Sequence, residues 1–521
     1  MERSRERASS RYGAMLAGAA SAAVFLAAAE LTALLVAREG SPILAVGGFV
    51  VDVVPQPLKE FAISTFGERD KDALLLGLAL AVLVAAAIAG VLERLRPPLG
   101  VVVVAVAGAA SLAATVTRPG ATAFAWAPAV AGTIAGSVAL VLLSRRLRRG
   151  DDAGAGAPSE APPEKGTSRR GFLVIAALTG ASALVVGLGA RALNAASSSV
   201  TALREALRLP SPRSTVSVPD GAELDVDGLS PLFTPNADFY RVDTALTVPA
   251  VDPATWSLVV DGMVDRRVEI GFDELVAMGL DEYAITLTCV SNEVGGDLVG
   301  NAIWLGVPVR DVLRMAGVRP DADMVLSRSV DGYTASTPLA SLTDDGVDAI
   351  LAVGMNGEPL PLEHGFPVRM VVPGLYGYVS ATKWVTELKV TTFAADEAYW
   401  TPRGYSAEAP IKLSSRIDTP RAGASVTAGR VPIAGVAWAQ TVGIERVEVR
   451  VDDGAWQEAT LSSPLNEDTW VQWRLDWDAE PGAHYVTVRA TDKDGGIQVE
   501  ERTPIAPDGA TGWQRTLVTV G

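Results

Sequence analysis

The chain has 521 residues, 49% of them hydrophobic, and a mean hydropathy of +0.27, high for a soluble protein, so two or three domains with a membrane portion are expected. Up to residue 200 it carries 19 Lys+Arg against 14 Asp+Glu, and beyond that 25 against 46, a strongly acidic balance that repels phosphate backbones and excludes nucleic acid as a partner. Its one cysteine, Cys289, excludes an intramolecular disulfide and a four-cysteine iron–sulfur or zinc site, and its two histidines, His364 and His484, lie outside every apolar run and exclude a bis-histidine haem within membrane helices.

Apolar runs long enough to cross a bilayer stand at Ala14–Ala37, Ala73–Leu92, Gly100–Val116, Ala121–Leu143 and Phe172–Ala190. A shorter run, Ile43–Val54, is followed by Pro55 and Pro57 and is expected to lie at the interface or on the bundle. Positive charge collects on one side if the N-terminus is cytoplasmic: Arg3, Arg5, Arg7 and Arg11, then Arg94 and Arg96, then Arg145, Arg146, Arg148, Arg149, Arg169 and Arg170. Five crossings then leave everything after residue 190 outside the cytoplasmic membrane. Glu30 falls within the first span, where a carboxyl is costly, and is expected to face the bundle or a quinone-like partner, or to snorkel without function.

The Gly-, Ala- and Pro-rich stretch 150–167 reads as a flexible linker. It ends in Ser168-Arg169-Arg170-Gly171-Phe172-Leu173, which matches the S-R-R-x-F-L pattern of a twin-arginine signal, although paired arginines before a helix also act as plain topology determinants. Such signals export proteins already folded, so a cofactor buried before export is expected.

Beyond a Pro- and Ser-rich stalk at Leu209–Val218, Trp256–Gly262 reads as a strand, Phe272–Met278 as a short helix, Ile285–Cys289 as a strand and Val309–Ala316 as a helix capped by Gly317. From about Pro420 the pattern alternates. Val447, Val449 and Val451 face one way, Arg446, Glu448 and Arg450 the other, with Asp453-Gly454 as a hairpin turn and further strands at Val471–Leu475 and His484–Ala490. Short strands at this spacing predict an Ig-like β-sandwich.

Cys289 stands at the end of an apolar strand, before the polar, Gly-rich Ser291-Asn292-Glu293-Val294-Gly295-Gly296. A thiol there either reaches a ligand or serves as a small core hydrophobe. Four blocks surround it: Thr234-Pro235-Asn236-Ala237-Asp238-Phe239-Tyr240-Arg241, Thr286-Leu287-Thr288-Cys289-Val290-Ser291-Asn292, Trp304-Leu305-Gly306-Val307-Pro308-Val309, and His364-Gly365-Phe366-Pro367-Val368-Arg369 running on through Pro373-Gly374 to Lys383-Trp384. In this order they resemble the sulfite oxidase and periplasmic sulfoxide reductase family of molybdopterin enzymes, over roughly residues 230–405.

The resemblance implies molybdenum on a single molybdopterin, with the Cys289 thiolate as the protein's ligand to the metal; no haem or iron–sulfur cluster is expected, because the chain carries no signature of its own for either. It implies that Asn236, Phe239 and Tyr240 line the pterin, that His364 and Arg369 bind its polar edge or phosphate, and that Ser380, Thr382 and Lys383 complete the phosphate site. Tyr405 falls at the substrate-side tyrosine, and Arg241 at an arginine that binds an anionic substrate or packs by its stem. Where sulfite oxidases supply a further arginine after the cysteine loop, this chain has Asn292-Glu293-Val294-Gly295, and a carboxylate there repels sulfite. Tyr376-Gly377-Tyr378 is similar to the sulfoxide reductase branch. Ala437-Trp438 and Gly443–Val449 resemble the family's dimerisation domain, so a homodimer is an open expectation.

The expected organisation is a four-span membrane region (1–149), a cytoplasmic linker (150–168), a twin-arginine-type signal anchor forming the fifth span (169–192), a stalk (193–228), a mixed α+β molybdopterin-binding catalytic domain (229–408) and an Ig-like, dimerisation-type β-sandwich (409–521). The expected function is transfer of an oxygen atom to or from a small sulfur or nitrogen compound or a sulfoxide, with electrons passing to or from a membrane-associated cytochrome or quinone enzyme. A non-catalytic surface adhesion protein with a degenerate cofactor fold is the alternative. A transporter is disfavoured by spans that lack a convergent set of charges.

Overall fold

The computed structural model describes residues 2–36, 41–54, 58, 65, 70–117, 124–154, part of 174–189, 200–245 and 248–521. The chain divides into two compact units, Met1–Ser199 with Thr244–Thr247, and Val200–Asp243 with Val248–Gly521.

The first unit is helical, with Glu2–Val36, Pro42–Val53, Asp70–Leu95, Leu99–Val116 and Ala127–Gly154. Among the described residues four helical stretches are long and apolar enough to cross a membrane, Arg11–Val36, Ala73–Leu95, Leu99–Val116 and Ala127–Arg149, where hydropathy predicts five. The fifth, Phe172–Ala190, lies partly outside the described residues, and those of it that are described are helical. The Ser168–Leu173 motif lies outside the described residues, and the linker is described only up to Gly154, which the last long helix reaches. At 12 residues Pro42–Val53 is too short to span, as its sequence predicts.

Small residues let the helix backbones approach. A Cβ at Gly18 would collide with Ala86 O, and one at Gly90 with Ala14 O, so bulk at either position would prise the first helix from Asp70–Leu95. Glu30 is buried and accepts a hydrogen bond from Ser41 Oγ at 2.6 Å. Glu93, which the sequence reading passes over, is buried as well: its Oε2 accepts from Val101 N at 3.2 Å and its Oε1 lies 3.8 Å from Arg148.

The second unit contains one mixed sheet, one antiparallel sheet and a sandwich. Strands β1 (Ser257–Gly262), β2 (Val268–Gly271), β5 (Met324–Ser329), β6 (Thr334–Pro338) and β10 (Val385–Thr391) form one sheet in the order β2-β1-β10-β5-β6. Its β1–β10 pair is parallel and the rest antiparallel. Strands β3 (Asp281–Thr288), β4 (Val299–Pro308), β7 (Ile350–Met355) and β8 (Glu358–Pro359) form the second, with β9 (Arg369–Val371) paired to β7. Every residue of β7 and the last five of β3 are buried, the pattern of strands covered on both faces rather than alternating. Helix Val309–Ala316 buries Val309, Val312, Leu313 and Ala316 at helical spacing and ends at Gly317 (φ 73°), as expected.

The sandwich pairs β11 (Ser414–Thr419), β13 (Gly429–Trp438), β17 (Val471–Ala479) and β16 (Thr460–Leu461) against β12 (Ser425–Val426), β19 (Gln514–Val520), β18 (Gly482–Asp492), β14 (Ile444–Val451) and β15 (Gln457–Glu458). Val447, Val449, Val486, Val488 and Trp473 fill its core, in agreement with the period-2 reading. The hairpin after β14 takes its positive φ at Asp452 (φ 50°), just before the predicted Asp453-Gly454 turn.

The residues read as a stalk are docked instead. Arg213 N donates to Leu280 O at 2.7 Å, Glu282 N donates to Ser214 O at 3.0 Å, and Arg213 pairs with Asp281. The proline content reflects an extended path along β3 rather than a free tether.

Candidate active site

Cys289 is the first residue beyond β3. Its N–H donates to Leu298 O at 2.9 Å and prolongs the β3–β4 ladder, and Asn292 N donates back to Cys289 O at 3.0 Å. Asn292 Oδ1 accepts Leu298 N at 3.0 Å, so the loop is closed by a buried side chain. Ser291 N–H is aimed at Cys289 Sγ at 3.4 Å. Burial, with 8% of the residue exposed, pushes the thiol up, and the hydrogen bonds from Ser291 pull against it. A cation or metal is what would stabilise the thiolate here.

One wall beside this loop is aromatic. Phe239 stacks on Tyr240 (centroids 5.3 Å) and meets Trp304 and His364 edge-on at 5.7 and 5.6 Å. Gly300, on β4, makes room for it, since a Cβ there would lie 2.7 Å from the Phe239 ring. Desolvation pushes the Tyr240 phenol up, the Cys289 thiol adds to the shift and Arg369 opposes it.

Those basic groups converge. Arg369, at the start of β9, is buried, donates to His364 O at 3.2 Å and to Met370 O at 3.3 Å, and lies 5.0 Å over the Trp304 ring. Burial lowers its guanidinium to about 10. The buried His364 ring, its Nε2 3.0 Å from Asn236 O, is lowered to about 4 by burial and then by Arg369, so it is neutral at pH 7 and donates to that carbonyl. Lys383 Nζ donates to Asp243 Oδ2 at 2.7 Å and to Glu363 O at 3.0 Å; burial brings it down to about 8 against the opposing pull of Asp243.

Several expected residues are engaged differently. Asn236 turns its amide away, donating to Glu358 Oε1 (2.6 Å) and accepting from Asn356 (2.8 Å), and only its backbone carbonyl meets His364. Ser380 Oγ donates to Tyr376 O and Leu375 O at 3.0 and 3.1 Å, and Thr382 Oγ1 bonds Ser327 Oγ at 2.7 Å. Both hydroxyls are therefore used within the fold, because their buried oxygens need local partners. Arg241 is exposed and pairs with Asp243 at 2.9 Å.

Tyr405 is buried and packs edge-on against Tyr378 and Trp400 at 5.5 and 5.2 Å. Besides Tyr240, the phenols that feel the Cys289 thiol are Tyr333 and Tyr376, both pushed up chiefly by burial, Tyr376 to about 12. Tyr333 lies in the β5–β6 turn and carries no mark in the sequence; Tyr376 stands in the Tyr376-Gly377-Tyr378 stretch already noted. Glu293 is exposed, at the rim of a cleft shared with Tyr376, Gln498 and Gly512.

A thiol, an aromatic wall and a buried imidazole–guanidinium–ammonium group fit the donor set of an anionic pterin with a thiolate-bound metal. Residues 245–400 match the family described as the oxidoreductase molybdopterin binding domain, and residues 414–488 match the bacterial Ig domain. Mitochondrial sulfite oxidase of Mus musculus is 32% identical over 322 residues, covering 52% of this chain and 58% of that protein. Sulfite oxidase of Gallus gallus is 28% identical over 349 residues, covering 57% of this chain and 75% of that protein. Nitrate reductase (NADH) 1 of Oryza sativa subsp. japonica is 33% identical over 178 residues, covering 29% of this chain and 19% of that protein. The chain thus spans 58% of the length of the mouse relative.

Proposed function

We propose that residues 245–400, which match the oxidoreductase molybdopterin binding domain, bind the cofactor as sulfite oxidases do, and that the chain transfers an oxygen atom to or from a small sulfur or nitrogen compound or a sulfoxide. The observation that carries this reading is the position of the chain's one thiol, just beyond β3, with the Tyr240 phenol coupled to both that thiol and Arg369, and with the buried His364 and Arg369 grouped beside the Lys383 side chain. When bound, the molybdenum supplies the two-electron redox change that oxygen transfer needs.

Cys289 would hold the metal from a loop fixed by Asn292. Arg369 and Lys383 would bind the pterin's phosphate end, and neutral His364, whose Nε2–H is given to Asn236 O, would offer Nδ1 as an acceptor without adding charge. Phe239 and Tyr240 would bound the ring system and exclude water. Tyr240 and Tyr376, both held protonated, are hydrogen-bond donors for a neutral oxygen-bearing substrate, whereas the Tyr333 hydroxyl already donates to Tyr378 O at 2.8 Å. With Glu293 at the rim and Arg241 tied to Asp243, a sulfoxide or amine oxide is favoured over sulfite.

The helical unit serves in this reading as a membrane anchor, its N-terminus cytoplasmic and the catalytic domain outside, with electrons exchanged with a membrane-associated cytochrome or quinone enzyme. The test is molybdenum content of the full chain made in a host that synthesises molybdopterin, alongside Cys289→Ser. About one metal per chain, with turnover of sulfoxide lost in the variant, is expected; a metal-free wild type would sink the reading.

A further inference from the structure

We propose that Gln440, a residue of the Ig-like sandwich, is a positioning residue for the Cys289 site. The inference rests on the reading of Cys289 as the metal's ligand and extends it to a domain that carries no ligand itself.

Gln440 lies two residues beyond β13 and is buried. Its Nε2 donates to Thr286 O and, at 3.1 Å, to Asp468 O, while its Oε1 accepts Gly374 N at 2.9 Å. Thr286 is in β3, three residues before Cys289. Gly374 opens the turn that delivers Tyr376, whose phenol feels the Cys289 thiol. One amide therefore ties the thiol-bearing strand to the tyrosine-bearing loop.

Neighbouring contacts make the tie rigid. Thr286 N donates to Asp468 O at 3.0 Å, and Trp470 N donates to Thr286 Oγ1 at 2.9 Å. Gly374 sits at φ +78°, and a Cβ there would lie 2.9 Å from Thr441 Cγ2, so this turn is shaped against the residue following Gln440. On the far side of the loop Arg416, from β11, donates to Gly296 O at 3.0 Å and pairs with Asp418 at 2.6 Å. The sandwich thus grips the cysteine segment at both ends, and Gln440 ties that segment to the Tyr376 turn.

Because Cys289 is the one thiol in the sequence, alkylation of the cofactor-free full chain in detergent reports on this loop and nothing else. Gln440→Leu should label with iodoacetamide about tenfold faster than wild type, the factor for one lost buried hydrogen bond of about 1.4 kcal/mol. Gln472→Leu is the control. Gln472 is equally buried and accepts Leu224 N (2.6 Å) and donates to Ser230 O (2.7 Å), touching neither the cysteine strand nor the Tyr376 turn, so its labelling should stay within about twofold.

In molybdenum-loaded protein, Gln440→Leu should shift the electron paramagnetic resonance signal of pentavalent molybdenum and lower kcat with KM unchanged, and Gln472→Leu should do neither. Gln440→Glu, which keeps an oxygen for Gly374 N but loses the donor to Thr286 O, should fall between and covers the case in which the leucine variant does not fold. Equal acceleration in the Gln440 and Gln472 variants, or none in either Gln440 variant, would overturn the proposal. A metal-free wild type with the predicted labelling pattern would instead remove the molybdenum reading and leave the clamp standing.

Discussion

Lys383 Nζ stands 2.7 Å from Asp243 Oδ2 with the two side chains only 10% and 5% exposed, and Arg241 Nε shares the same oxygen at 2.9 Å. A buried pair of this kind is costly to break from one side, because the remaining charge is left without water or a partner. Asp243→Ala should therefore destabilise the cofactor-free protein by about 3 kcal/mol, and Asp243→Leu with Lys383→Met by clearly less. Urea unfolding of the three proteins measures it. In cofactor-loaded protein the loss should shrink, since a phosphate at Lys383 would replace the carboxylate; an unchanged loss would mean that Lys383 does not hold the phosphate.

Cys289→Ser replaces a soft thiolate by a hydroxyl of nearly the same size, so packing changes little while metal binding changes greatly. Turnover should fall by at least about a hundredfold, beyond what loss of a supporting contact gives. Pterin content should fall less than metal content, because Arg369, His364 and Lys383 are untouched. Metal analysis and pterin fluorescence on the same sample separate the two, and full activity in the variant would exclude Cys289 as the ligand.

Periodicity made the sandwich and helix Val309–Ala316 legible, because alternation in β14 and helical spacing around Leu313 are local signals. Cys289 was legible through its surrounding blocks. The direction of a hydroxyl was not: Ser380 and Thr382, which the resemblance implies for the phosphate site, bond Tyr376 O and Ser327 Oγ instead, a matter of tertiary packing. Asp243 escaped notice for the same reason, since 140 residues separate it from Lys383. Leu209–Val218 reads as a stalk because Pro and Ser mark an extended backbone without saying what it lies against.

His364 predicts a pH dependence. Its folded-state value is about 4 against an ordinary 6.5, so between these values the unfolded chain takes up a proton that the folded site refuses. Stability should therefore fall as pH drops from 6.5 to 4, by up to about 3 kcal/mol from this group, with no further contribution below. His364→Gln removes the titration, so the difference in unfolding free energy between wild type and variant should move in the variant's favour across that window. A pH-independent difference would show that the folded ring takes up its proton at the ordinary 6.5, as in the unfolded chain.

Gly300 and Phe239 predict the last effect. Because a Cβ at residue 300 would fall 2.7 Å from the Phe239 ring, and that ring abuts Trp304, Tyr240 and His364, Gly300→Ala has no slack to absorb one methyl group. The variant should lose about 1–3 kcal/mol of stability, the usual cost of overpacking, and should retain less pterin as His364 is pushed aside. Phe239→Leu shortens the same side chain, so adding it to Gly300→Ala should recover part of the loss. A double-mutant cycle read by urea unfolding and pterin content gives the coupling. Additive losses would mean that the aromatic wall yields elsewhere, and that Gly300 is not what sets the position of Phe239.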